Sequence, residues 1–174
     1  AASWPGEVMV SVNVSPAQFM TGDIVWQVRE ALRLAHLDAR RLELEVTENV
    51  MLNDVDGALR TMTALKELGV RLNMDDFGTG YSSLGYLRTY PFDSIKIDKR
   101  FVASMEKTGR DRSIVQAIIN LGNALNLRVT AEGVETEGQM HILRDEQCHE
   151  LQGFLLSRPL APQVSAEGHA ARRP

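Results

Sequence analysis

Six short runs of this sequence alternate between apolar and polar residues, and that alternation limits the possible folds more than any other feature. The runs are Val8 to Val14, Leu42 to Thr47, Val70 to Asp75, Ser94 to Asp98, Leu127 to Glu132 and Leu151 to Leu155, each with the period of a β-strand. Segments with helical signals separate them. Ser15-Pro16 reads as the cap and first turn of one helix with the stripe Ile24, Val25, Val28 and Leu32. Asp54 can cap a second helix, which runs through Leu59, Met62, Leu65 and Leu68 and stops at Gly69. Arg112 to Asn126 and Glu137 to Glu146 supply two more.

Strands that alternate with helices imply a parallel sheet, either open and doubly wound or closed into a barrel. The strand faces choose between these. An open sheet covered by helices on both sides needs strands apolar on both faces. Here one parity is apolar, as in Val8, Val10, Val12 and Val14 or Leu42, Leu44 and Val46, while the other carries Ser11, Asn13, Glu43, Glu45, Arg71, Asn73, Asp75, Lys96, Asp98, Arg128, Thr130 and Glu132. Polar residues facing helices would be costly, whereas around a barrel axis they can pair with one another and with a ligand. The expected fold is therefore a (β/α) barrel. A complete one has eight strands in about 250 residues. Six strands in 174 residues make this an incomplete barrel, with the deficit expected at the front. The expected domain covers residues 1–160, and residues 161–174 form a polar tail.

Composition narrows the function. Nineteen Lys plus Arg against 23 Asp plus Glu give a net charge of −4, and the scattered positive residues form none of the basic faces that a nucleic-acid polymer requires. No apolar stretch approaches the length of a membrane span, and the first residues lack the signature of a signal peptide. The single Cys148 cannot form an internal disulfide and suits a cytoplasmic setting. His36, His141, His149 and His169 have no metal-ligand spacing.

Reacting groups in such barrels collect at the C-terminal ends of the strands. The inward-facing residues there are Asn13, Glu45, Asp75, Lys96, Glu132 and Gln152. Three carboxylates, two amides and one ammonium around one mouth call for bound cations, and oxygen ligands suit Mg2+ or Mn2+. The adjacent Asp76 adds a carboxylate, which permits a shared Asp between two ions. Asp75-Asp76 ahead of Phe-Gly-Thr-Gly also reads as a turn. Glu45 and Glu48 also read as surface acids near a helix N-terminus.

The ordered stretches Val10-Ser11-Val12-Asn13-Val14-Ser15-Pro16, Leu42-Glu43-Leu44-Glu45-Val46-Thr47-Glu48, Asp75-Asp76-Phe77-Gly78-Thr79-Gly80-Tyr81-Ser82-Ser83-Leu84, Ile95-Lys96-Ile97-Asp98, Thr130-Ala131-Glu132-Gly133-Val134-Glu135-Thr136 and Gln152-Gly153-Phe154 resemble the EAL-domain family. The resemblance implies a modified TIM barrel with one reversed strand. It also implies a bacterial phosphodiesterase that hydrolyses cyclic di-GMP to linear pGpG with two Mg2+ or Mn2+ ions. Asn13, Glu45 and Asp75 would hold the first ion and Asp76 the second. Glu132 would bind or orient the attacking water, with a general-base role open to it. Lys96 would contact that water or the phosphate, and Asp98 and Gln152 would serve the substrate side. Glu48 would anchor the loop Asp76 to Ser83, which includes Gly78, Thr79, Gly80 and Ser82 and is associated with dimer formation, and Glu135 would support the site. A homodimer and upstream sensor or GGDEF domains are the implied partners. The Glu-Ala-Leu motif that names the family belongs on an earlier strand and is read as absent from this chain. The chain alone is therefore expected to hydrolyse cyclic di-GMP poorly or not at all, and a receptor without turnover is the alternative.

Overall fold

The computed structural model describes residues 8–20, 23–52, 54–78 and 84–159. The expected tail 161–174 and Thr79, Gly80 and Ser82 lie outside the described residues.

The strands β1 (Val10–Val14), β2 (Leu42–Thr47), β3 (Arg71–Phe77), β4 (Ser94–Ile97), β5 (Arg128–Ala131) and β6 (Glu150–Leu151) form one parallel sheet in chain order. Helices α1 (Pro16–Met20), α2 (Ile24–Ala35), α3 (Asn49–Leu52), α4 (Val55–Glu67), α5 (Leu84–Thr89), α6 (Lys99–Ser104), α7 (Gly109–Ala124) and α8 (Glu137–Asp145) make the crossovers. The result is a half-barrel of the expected class. Its core lies between the sheet and the helices, where Leu44, Val46, Leu72, Met74, Ile95, Ile97 and Val129 are buried with Met62, Leu65, Val115, Ile119 and Leu143.

Short helices α3, α5 and α6 are absent from the sequence reading, and three further features differ. The single helix expected after Ser15 is two. Ser15 and Gln18 form a reciprocal cap, with Gln18 N–H on Ser15 Oγ at 3.2 Å and Ser15 N–H on Gln18 Oε1 at 3.1 Å, and α1 ends at Met20 before α2 begins. The last strand is only Glu150–Leu151, because the following residues bend around Val134. Val12, on the apolar parity, is 43% exposed, since β1 is an edge strand that pairs only with β2 among the described residues.

The polar face behaves as the parity reading requires. Glu43 gathers three donors from three strands: Ser11 Oγ at 2.9 Å, Asn73 Nδ2 at 3.2 Å and Ser94 Oγ at 3.2 Å. That layer is the floor beneath the site.

Candidate metal centre

Register lines up the site strand by strand. Asn13 pairs with Glu45, and Thr47 with Asp75. Between β3 and β4 the register slips: Met74 pairs with Ile95 and Phe77 with Ile97, so Asp75 and Asp76 together oppose the single Lys96. This is a β-bulge, a device that re-aims side chains. Asp76 takes the left-handed conformation with φ 55°, and its N–H bonds Asp75 Oδ1 at 3.0 Å. Simple alternation would send Asp75 and Asp76 to opposite faces; the bulge lets both serve the inner one.

Lys96, 4% exposed, is the hub. Its Nζ lies 2.5 Å from Glu132 Oε1, 3.0 Å from Glu45 Oε2 and 3.8 Å from Asp75 Oδ1. Burial works against its charge, but the bonds to Glu132 and Glu45 prevail, and its pKa is raised. Carboxylate oxygens of Asp75, Asp76 and Glu132 all lie within 4.8 Å of one another. The Asp76 carboxyl is pushed up by partial burial, then by the charge on Asp75 and a hydrogen bond with Asp98. Burial also opposes charge on Asp98, yet its bonds from Arg100, N–H at 2.7 Å and Nε at 2.9 Å, hold it below the usual carboxylate range. In the Asp76–Asp98 pair the proton therefore favours Asp76.

One ammonium among Glu45, Asp75, Asp76 and Glu132 leaves an excess of negative charge in a partly dry site. The donors are all oxygen, and Asp76 already resists ionisation. This set fits hard divalent cations, which would neutralise the repulsion that lifts Asp76. Thr47 Oγ1 and Asn73 Oδ1, buried without a hydrogen-bond partner among the described residues, lie on the same two strands as Glu45 and Asp75.

The remaining expected residues occupy separate places in the fold. Gln152 follows β6, where its N–H bonds Ala131 O at 2.9 Å, and it lines a groove of about 260 Å³ with Lys99, Glu132, Gly133, Glu135 and Phe154. Asp98 caps α6. Glu48 is buried between β2 and α3. Gly78 has φ 93°, and a Cβ there would come within 3.1 Å of the Phe101 ring. Asn13 is exposed on β1. Sequence reasoning missed Arg100, which bonds Asp98, and Lys99, which lines the groove. It also missed that the tripeptide Glu30-Ala31-Leu32 stands in this chain. That triplet is inside α2, with Glu30 paired to Arg33 at 2.5 Å, and is not a strand motif.

Several known proteins are similar to this chain. A 46% identical relative, over 87% of this chain, is the cyclic di-GMP phosphodiesterase NbdA of Pseudomonas aeruginosa, of which the chain covers 19%. The chain spans about a fifth of the length of the first curated relatives it matches. Among solved structures, the PaMucR phosphodiesterase in complex with c-di-GMP is 43% identical with a TM-score of 0.87, over 90% of this chain and 64% of that one. A manganese/cy-diGMP complex of Klebsiella pneumoniae BlrP1 is 32% identical with a TM-score of 0.83, over 91% of this chain and 41% of that one. The EAL domain family model matches residues 1–159, and with the fold and the acidic mouth in view, the chain belongs to the EAL-domain family.

Proposed function

We propose that the protein hydrolyses cyclic di-GMP to linear pGpG at this mouth, with two Mg2+ or Mn2+ ions. The carrying observation is the convergence of Glu45, Glu132 and Asp75 on Lys96 with Asp76 beside them. Asn13, Glu45 and Asp75 would hold one ion and Asp76 the other, with Asp75 able to serve both. Bound divalent ions would offset the charge of the phosphodiester and acidify water at neutral pH.

The chain's own groups supply the rest. Lys96 keeps its proton, so it meets a phosphate as a fixed cation. Glu132 stands against that ammonium at the groove wall, where its carboxylate can orient water and accept its proton. Asp98, held ionised by Arg100, steadies Asp76. Gln152, on the same groove, serves the nucleotide side. In this reading Glu48 and Gly78 support the loop that follows β3, which also holds Thr79, Gly80 and Ser82, while Glu135 supports the groove. The protein works as a cytoplasmic homodimer with sensor or GGDEF domains, and the much greater length of its relatives supports additional domains. The domain itself would cover residues 1–160.

The test incubates the full-length protein with cyclic di-GMP and Mn2+ or Mg2+ and follows linear pGpG by chromatography. Turnover should vanish with a chelator and in Glu132→Ala. A folded, metal-supplemented protein that binds the nucleotide without cleaving it would replace the hydrolase with a receptor.

A further inference from the structure

The segment that carries Glu132 is held by a side chain that is not a member of the acidic cluster. Residues 132–136 have no regular structure, yet nearly every backbone donor there is matched. Glu132 N–H bonds Ile97 O at 3.2 Å and Val134 N–H bonds Gln152 O at 3.0 Å. The N–H groups of Glu135 and Thr136 both reach Gln139 Oε1, at 2.7 Å and 3.1 Å. Gln139 is only 4% exposed.

Part of this is a helix cap. Thr136 Oγ1 accepts from Gln139 N–H at 3.1 Å, and Gln139 returns the favour at Thr136 N–H, a reciprocal capping box that starts α8. Capping needs nothing more. The bond to Glu135 N–H lies outside the helix and is the shorter of the two, so both lone pairs of the amide oxygen are committed, one of them to the loop. From the exposed side Glu106 Oε2 takes the hydroxyl of Thr136 at 2.8 Å. Beneath, Gly153 permits direct backbone contact: a Cβ there would lie 2.2 Å from Val134 O.

We infer that Gln139 is a positioning residue for Glu132. Its amide oxygen, seconded by Glu106, fixes the 132–136 loop so that the Glu132 carboxylate stays on Lys96 and beside Asp75 and Asp76. The inference rests on the phosphodiesterase reading for its effect on turnover. Its physical content is that a carboxylate on an irregular segment keeps sub-ångström placement only if the segment's backbone is tied down.

The experiment compares the wild-type full-length protein with Gln139→Leu, which keeps bulk and loses the acceptor, Gln139→Glu, which keeps the acceptor, and Glu106→Ala. Amide hydrogen exchange is followed without metal or nucleotide, and kcat and KM are measured with cyclic di-GMP and Mn2+. In Q139L exchange at Glu135 and Thr136 should accelerate about tenfold or more, and kcat should fall by about 10- to 100-fold with little change in KM, the scale of lost supporting groups. Q139E should stay close to wild type in both. Should Q139L fail to fold, E106A loosens the same loop from its exposed side and must show the same split at smaller amplitude. Unchanged exchange in Q139L, a loosened loop with unchanged kcat, or Q139E as impaired as Q139L would overturn the inference. A wild-type protein without turnover would end the hydrolase reading, while exchange in Q139L against Q139E still decides whether Gln139 holds the loop.

Discussion

Lys96 carries the positive charge around which the acids of the site gather. Its ammonium is buried against Glu45, Glu132 and Asp75, and removing one member of such a group strands the others, at a cost of about 3–5 kcal/mol. Lys96→Met should therefore lower thermal stability by that order in metal-free protein. Adding Mn2+ should restore more stability to the variant than to wild type, since the cation replaces the missing charge; equal Mn2+ shifts in a calorimeter would contradict this. Cys148 illustrates the opposite case. Burial pushes its thiol up to about 11, against about 8.5 for a free cysteine, so near pH 8 its thiolate is scarcer by roughly 200-fold. Alkylation of the folded protein at that pH should be slower than that of denatured protein by about the same factor. The sign for stability follows: the fold holds the thiol proton, so this group favours unfolding as pH rises from about 8.5 towards 11. At this scale strand parity made Glu45, Asp75, Lys96 and Glu132 legible in the sequence. It could not reveal Gln139, because a buried glutamine in a helix looks like any capping residue until its second acceptor bond is seen.

Among the elements, β3 matters most, because its bulge sets Asp75 and Asp76 against the single Lys96. Period-two reasoning cannot anticipate an inserted residue, so the Asp pair was visible as composition but its geometry was not. The same limit explains α1 and α2: the apolar stripe read as one helix, whereas the Ser15–Gln18 cap closes a separate short turn. Helix packing gives a clean test at Gly122 of α7. A Cβ there would lie 2.3 Å from Val129 Cγ2 on β5, a fully buried side chain. Gly122→Ala should destabilise by roughly 1–3 kcal/mol through overpacking. Trimming the neighbour in Gly122→Ala/Val129→Ala should make the two effects non-additive in urea melts. Strict additivity would show that the contact is not the cause. Asp54, read from sequence as a cap, accepts Gly57 N–H at 2.8 Å; Asp54→Ala should cost about 1 kcal/mol.

For the whole molecule, the sheet has two ends. β1 pairs only with β2 and β6 only with β5 among the described residues, and Ser11, Val12 and Asn13 on the first are exposed. Unprotected strand edges recruit other strands. The isolated 174-residue polypeptide should therefore associate with itself as concentration rises, and light scattering that reports one monomeric species throughout would contradict this. The barrel class was legible because six polar faces must share an interior. The closing of the last strand after two residues was not, because it depends on Gly153 slipping under Val134. The strand order has a further consequence. Each strand hydrogen-bonds the one translated just before it, so a chain leaving the ribosome can lay down its sheet in sequence. Glu45 and the Asp75–Asp76 pair leave the ribosome before Lys96 does, so for that interval the emerged polypeptide carries these anions without their counter-charge.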